Sequence, residues 1–265
     1  MKSILFQIKS DFSLESAMKE ATSIGLQDIF VIEDVATEDK WIGGLILDTP
    51  KEELLVSLLL RGPNEVSWKS QWETFSENFQ NGMAHIDLSQ FGFNKTLYLT
   101  PGEGFGDLSH ASTYLMLDLM KDKVIDQNVI DIGAGSGILT LSSILMGAKN
   151  ALGIEIDPAS LRHAEKNELK NRLNVTFSMH LDKQKVNPKS VFLMNMTLNE
   201  QSKFMEENLN LNDLSKYWIT SGILREQKNK YLEMTIKWGW KLQKSIKKGK
   251  WLGFTFKISN TVNQY

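Results

Sequence analysis

Apolar and polar positions alternate with different periods in different parts of the chain. Up to about residue 65 the pattern is that of a small α+β unit. Ile4–Ile8 alternates as a strand does, and Ser13 with Ser16 forms an imperfect capping box, since its last position prefers Glu. The helix opened there runs to Gly25, a C-terminal stop. Asp28–Ile32 and Trp41–Leu47 follow as strands, Lys51–Leu60 as a helix after Pro50, and Glu65–Trp68 as a closing strand. That order, β-α-β-β-α-β, is the ferredoxin-like one.

Between residues 67 and 79 the aromatic residues Trp68, Trp72, Phe75 and Phe79 recur at helical spacing. They form one face, which is expected to pack between two domains. From about residue 90 the pattern becomes strand, turn, helix, repeated. Val129–Ile132 is a strand whose helix runs through Gly147; Ala151–Ile156 is a strand followed by helix Pro158–Asn171. Asn174–Met179, Val191–Met194 and Trp218–Thr220 are further strands. The tail departs from this: Trp240–Ile246, a turn Lys247–Lys250, and Trp251–Ile258 form an antiparallel hairpin. The expected fold is α/β, a Rossmann-like parallel sheet ending in an antiparallel hairpin, preceded by a small ferredoxin-like domain. The boundaries are a small α+β domain at 1–67, a linker helix and connection at 68–90, and the main domain at 91–265.

Composition narrows the chemistry. The chain contains no cysteine, so disulfides, cysteine-ligated zinc and a catalytic thiol are excluded, and no metal is expected. A net charge of -2 gives no global attraction to nucleic acid or an anionic membrane. Lys241, Lys244, Lys247, Lys248 and Lys250 make a local basic cluster, read as a solvated hairpin turn rather than an RNA contact. The apolar run at the N-terminus is broken by Gln7 and Lys9, and Leu54–Leu60 is far below membrane-spanning length. A cytoplasmic monomer without direct nucleic-acid binding is expected.

The strongest chemical signal is Asp131-Ile132-Gly133-Ala134-Gly135-Ser136-Gly137. A buried strand ends in alternating glycines and leads into a helix, so a ligand can approach the backbone closely at a positive helix end. The spacing is G-x-G-x-G, not the G-x-G-x-x-G of dinucleotide enzymes. Asp131, two residues before the first glycine, suits an ammonium group and would repel a pyrophosphate. Both details favour S-adenosyl-L-methionine over a nicotinamide cofactor, which is the alternative ligand for the turn; a tight turn without ligand is the plainer reading. Glu155, at the end of the next strand, is placed to accept hydrogen bonds from ribose hydroxyls. Asp157-Pro158 reads as an N-cap and first-turn proline.

Upstream, Thr100–Thr113 contains three glycines, Phe105 and His110. It is expected to form a lid, with Phe105 among the cofactor-binding residues and the hydroxyls of Ser112 and Thr113 available to the ligand. A lone His is more often structural than catalytic.

These residues together resemble the PrmA methyltransferases, which trimethylate amino groups of large-subunit ribosomal protein L-eleven. The resemblance is carried by the Trp68/Trp72 linker, Pro101-Gly102-x-x-Phe105-Gly106 ending in His110, Val129–Leu139, Gly153–Pro158, Asn195, and Ser221-Gly222-Ile223-Leu224 with Gln227. It implies a class I methyltransferase fold and cofactor contacts at Thr113, Gly133, Glu155 and Asn195, to which Asp131, Gly135 and Phe105 are added. It further implies a ribosomal protein substrate docked by the small domain. The chain departs from the family at Asp107-Leu108-Ser109, Ala111 and Ser112, where the family usually has Thr-Gly-Thr, Pro and Thr, at Asn195-Met196-Thr197 where the family has Asn-Ile-Leu, and at Glu155 where Asp is usual.

The reaction so implied is attack of a neutral amine on a sulfonium methyl, where positioning and desolvation matter most. Asn195 is the residue expected to orient the amine, and His110 is a candidate general base. The other functional classes left open are methylation of a different protein, RNA or small molecule, and a non-catalytic cofactor-binding homologue.

Overall fold

The computed structural model describes residues 2–33, 40–48, 50, 51, 54–60, 76 and 78–258. Two compact units make up the chain, Met1–Ser67 and Trp68–Tyr265.

In the first unit, β1 (Lys2–Ile8), α1 (Leu14–Ser23), β2 (Gln27–Glu33), β3 (Lys40–Ile46) and β4 (Leu58–Leu60) build a sheet of order β2-β3-β1-β4. All its pairings are antiparallel, so order and direction are ferredoxin-like. Ile4, Phe6 and Ile8 share one face of β1 and are buried with Ile42, Ile46 and Leu58 against Ala17 and Ala21 of α1. Ser13 caps α1 by accepting from the Ser16 N–H, so the imperfect box still serves one orphan donor.

The helix expected over Lys51–Leu60 does not form. Leu58–Leu60 is a strand that pairs with Phe6–Ile8, and no α-helix occurs among the described residues of that stretch. Leucine runs fit either structure, and tertiary context decided this one. Residues 54–57 alternate exposed and buried, Lys9 N–H donates to the Ser57 carbonyl, and the Glu20 carboxylate accepts the N–H groups of Val56 and Ser57 at 2.6 Å each. The strand expected at Glu65–Trp68 lies outside the described residues.

In the second unit Trp68, Trp72 and Phe75, expected on a linker helix, also lie outside the described residues. Phe79 is not on a helix but opens β5 (Phe79–Gln80), which joins β6 (Met83–Asp87) and β7 (Thr96–Leu99) in an antiparallel sheet that the sequence reading missed. Next come α2 (Ala111–Met120), β8 (Asn128–Ile132), α3 (Ile138–Leu145), β9 (Asn150–Ile154), α4 (Pro158–Asn171) and β10 (Thr176–Ser178). They are followed by β11 (Ser190–Asn195), α5 (Leu198–Asn208), β12 (Ser215–Leu224), α6 (Lys228–Lys237), β13 (Trp240–Lys248) and β14 (Trp251–Ile258).

The seven-stranded sheet has the order β10-β9-β8-β11-β12-β14-β13. The first five strands run parallel; β14 is antiparallel to both neighbours. This is the Rossmann-like sheet with a terminal hairpin. The hairpin turn is tighter than expected, Gly249-Lys250 between paired Lys248 and Trp251. Alternate residues of the central strands supply two cores. Val129, Val191, Leu193 and Ile219 pack with Met116, Leu117 and Leu139. Ile130, Phe192, Met194 and Trp218 pack with Tyr231, Phe254 and Phe256. Burial on both faces explains why these strands read as unbroken apolar runs. The strand order reverses between β9-β8 and β11, and the loops there lie at the carboxyl ends of the strands, where open α/β sheets bind ligands.

Candidate functional site

Strand β8 ends at Ile132, paired between Ile154 of β9 and Met194 of β11. Gly133 and the Ala134 N–H both fold back onto the Ile154 carbonyl at 2.9 and 3.0 Å. The turn Gly133–Gly137 then enters α3 with Gly133, Gly135 and Gly137 all at positive φ, a conformation that costs any residue with a Cβ about 1–2 kcal/mol. Asp131, Gly133, Gly135, Glu155 and Asn195 thus meet at the carboxyl ends of three adjacent strands.

Asp131 is 1% exposed. Its Oδ2 accepts a 2.7 Å hydrogen bond from the Thr140 hydroxyl, while Oδ1 is buried without a partner. Burial drives its carboxyl up to about 7, with the Glu155 charge acting in the same direction and hydrogen bonds from Thr140 opposing. Glu155 is engaged differently. Its Oε2 accepts the Gly135 N–H and its Oε1 the Asp157 N–H, each at 2.9 Å. It therefore braces the glycine turn as well as facing the end of β9, and each oxygen keeps a lone pair for a further donor. Asp157 caps α4, accepting from Ser160 N–H at 2.7 Å.

Asn195 closes β11 opposite Ser221 of β12. Its Oδ1 is buried and unpartnered, as is the Thr113 hydroxyl in the first turn of α2. His110 caps α2: its Nδ1 accepts from the Ser112 N–H, and its ring packs edge-on against Phe105 at 5.3 Å and Trp251 at 4.7 Å. Burial lowers its basicity below the ordinary imidazole value, Lys250 adds to this, and Asp107 opposes it. Phe105 is 54% exposed.

The segment 100–106 is not an open lid here. The Ser136 N–H donates to the Phe105 carbonyl at 2.9 Å, and its hydroxyl to the Gly106 carbonyl at 2.5 Å. A Cβ at Gly104 would meet Gly135 and Ser136 backbone at 2.5 Å, and one at Gly135 the Phe105 carbonyl at 2.5 Å. The three glycines of this segment are close-packing residues.

Several residues that the sequence reading missed shape this edge. Thr140 holds Asp131, and His163 and Asn167 of α4 bind the 100–106 segment. On the Asn195 side, Gln201 donates to the Met196 and Ser221 carbonyls at 2.7 Å each and accepts from Tyr231 at 2.6 Å. Only the i, i+4 spacing of His163 and Asn167 carried a signal of shared placement; the rest depend on contacts far apart in the chain. A cavity of about 330 Å³ lies elsewhere, against one face of β8–β10, with Ile130, Leu152 and Lys185 in its wall; it touches none of the site residues above. Among the described residues no helix is long and apolar enough to cross a membrane, and no group of three or more His, Cys, Asp or Glu residues could hold a metal.

Comparison with known proteins agrees with this architecture. The ribosomal protein L11 methyltransferase of Staphylococcus haemolyticus is 26% identical over 179 residues, 63% of this chain and 57% of its own. That of Bacillus licheniformis is 23% identical over 209 residues, 73% of this chain and 66% of its own. The chain therefore spans less than two thirds of the length of these relatives. A crystal structure of a ribosomal protein L11 methylase from Lactobacillus delbrueckii subsp. bulgaricus shares the fold, with a TM-score of 0.55 at 24% identity over 63% of this chain and 87% of that one. Residues 64–259, well over half of the sequence, match the model of one family. The chain belongs to that family, ribosomal protein L11 methyltransferase (PrmA).

Proposed function

We propose that the protein is an S-adenosyl-L-methionine-dependent N-methyltransferase acting on amino groups of a large-subunit ribosomal protein, L11 by analogy with its relatives. The observation that carries this reading is a set of three buried oxygens without partners: Thr113 Oγ1, Asp131 Oδ1 and Asn195 Oδ1. Such atoms cost roughly 1–3 kcal/mol each unless something donates to them. All three residues were singled out from the sequence; the oxygens of Thr113 and Asp131 fit a ligand bearing an ammonium group and hydroxyls, and that of Asn195 fits the amine to be methylated.

When bound, the cofactor supplies an electrophilic methyl on a sulfonium, and its departure leaves a neutral thioether. The chain's contribution is positional. Asp131 Oδ1 accepts from the ammonium, Glu155 from the ribose hydroxyls, and the bare backbone at Gly133 and Gly135 leaves room for close approach. Asn195 Oδ1 accepts a hydrogen from the incoming amine and directs its lone pair at the methyl. The Met196 carbonyl next to it accepts from Gln201 and keeps one lone pair, whereas the Asn195 side-chain oxygen has no partner at all, so the side chain is the main acceptor for the amine. His110 Nδ1 is used in capping α2, so its part in proton removal rests on Nε2. The unit Met1–Ser67 serves to dock the protein substrate.

Tritiated methyl transfer to intact ribosomes and to isolated ribosomal proteins tests this. Labelling of L11 supports it. Labelling of another protein, RNA or small molecule replaces the acceptor. Calorimetric binding without transfer to any acceptor points to a non-catalytic homologue.

A further inference from the structure

Helix α4 presents three polar side chains one turn apart, His163, Asn167 and Asn171, and all three are bonded to the chain leading into the site. Asn171 accepts the Tyr98 N–H at 2.9 Å and donates to the Tyr98 carbonyl. Asn167 accepts the Thr100 N–H and hydroxyl at 2.8 Å each, and donates to the Ser136 carbonyl in the glycine turn at 2.9 Å. His163 uses both ring nitrogens: Nδ1 lies 3.0 Å from the Gly104 nitrogen and Nε2 2.6 Å from the Thr100 carbonyl, with the Asn167 amide nitrogen, which already donates to the Ser136 carbonyl, farther from Nε2 at 3.2 Å. An amide N–H only donates and a carbonyl only accepts. The ring is therefore neutral, with its proton on Nε2. It is 4% exposed, and a Cβ at Gly102 would lie 2.5 Å from it.

We propose that His163 is a positioning residue of the cofactor site: in its neutral Nε2–H form it clamps segment 100–106 onto the glycine turn, in concert with Asn167. The segment's other anchors are the two bonds from Ser136 to the Phe105 and Gly106 carbonyls. Segment and turn thus form one unit whose registry is set from α4. A proton on Nδ1 would point at the Gly104 N–H, donor against donor, and release that end of the clamp. The charged groups near the ring are Glu103 in the segment and Lys166 on α4; burial lowers the basicity of the ring, the Thr100 carbonyl and Glu103 oppose this, and Lys166 adds to it, so the balance lies on the side of the neutral form that the two contacts require. The effect on cofactor affinity rests on the S-adenosyl-L-methionine reading; the clamp itself does not.

The test uses the full chain labelled with ¹⁵N-histidine, together with His163→Asn and His163→Leu. Asparagine places an acceptor where Nδ1 stands but cannot reach the Thr100 carbonyl; leucine supplies neither group. In the wild type the ¹⁵N spectrum should show an unprotonated Nδ1 and a protonated Nε2 for His163, identified by its loss in the variants. Calorimetry should show the dissociation constant for S-adenosyl-L-methionine raised about tenfold in His163→Leu and less than about threefold in His163→Asn, the scale of one buried hydrogen bond. Finding the proton on Nδ1, or wild-type affinity in His163→Leu, would overturn the proposal. If His163→Leu fails to fold, the tautomer and the affinity of His163→Asn decide. If the wild type binds no S-adenosyl-L-methionine, the cofactor reading fails, while the tautomer and the exchange protection of the Gly104 amide still decide the clamp.

Discussion

Asp131 offers the sharpest test of the site, because binding and protonation are coupled through it. Its carboxyl lies inside the sheet end with one oxygen bonded to Thr140 and the other without a partner. Burial raises its pKa from 3.8 to about 7, which corresponds to a penalty of roughly 4 kcal/mol on the ionised form. The folded value lies above the unfolded one, so between pH 3.8 and about 7 the native state holds a proton that the unfolded state has released. Stability contributed by this group is therefore full below 3.8 and falls as pH rises toward 7. An ammonium placed on Oδ1 reverses the preference by pairing with the charged form. At pH 6 the free protein carries the proton in roughly nine molecules of ten, and binding S-adenosyl-L-methionine should expel it. Calorimetry at pH 6 in two buffers of different ionisation enthalpy measures this release directly. The wild type should lose close to one proton per site, and Asp131→Asn none. Affinity in the variant should fall about tenfold to a hundredfold, the scale of a charge-assisted hydrogen bond. Equal binding enthalpies in the two buffers for the wild type, together with wild-type affinity in Asp131→Asn, would show that Asp131 does not meet the ammonium.

Glu155→Ala should weaken cofactor binding by roughly 1–3 kcal/mol, and thermal melting should show a stability loss alongside it, because the Gly135 and Asp157 N–H groups lose their acceptor. Unchanged affinity with lowered stability would leave Glu155 as a brace for the turn and remove it from the ribose. Asn195→Ala should lower turnover by about tenfold or more while altering cofactor affinity little, since its oxygen is assigned to the amine; steady-state kinetics with the acceptor protein separates the two. Gly104→Ala should weaken cofactor binding and lower the melting temperature, because its Cβ would fall 2.5 Å from rigid backbone at Gly135 and Ser136. An alanine variant with wild-type melting and binding would show that the segment is free to lift.

What was legible in the sequence was whatever local chemistry decides. Helix α4 was read to the residue, because Asp157 caps it and Pro158 suits its first turn. Strands β8 and β9 were marked by the glycine turn and the strand-end acid. The failures lie where a partner distant in sequence decides. Leu58–Leu60 is a strand because β1 has a free edge for it. Phe79 fitted an aromatic helical stripe, yet its N–H closes a turn onto the Ser76 carbonyl and its neighbour Gln80 pairs with Met83. His163 stood on a helix whose cap was recognised, but its work is done on Thr100 and Gly104, about sixty positions earlier.

The same contrast explains how this chain can depart from its family at the segment's far end and still build the site. The acceptors that set the cradle are largely backbone carbonyls: the turn folds onto that of Ile154, and the segment offers those of Phe105 and Gly106 to the Ser136 N–H and hydroxyl, while His163 and Asn167 hold it from α4. Backbone bonds are indifferent to side-chain identity, provided that Gly104 and Gly135 stay small enough for the two strands of chain to touch. The changed residues Asp107, Leu108 and Ser109 lie beyond those contacts, and Asp107 there accepts the Ser109 N–H and hydroxyl in a local turn of its own. On the proposed reading, cofactor binding depends on the glycines, on Ser136 and on the α4 ladder, whereas residues 107–109 lie outside those contacts. Grafting Thr-Gly-Thr onto 107–109 should accordingly leave S-adenosyl-L-methionine affinity within about threefold of the wild type, as for separated sites that do not couple. A larger change in affinity would mean that the two ends of the segment act as one.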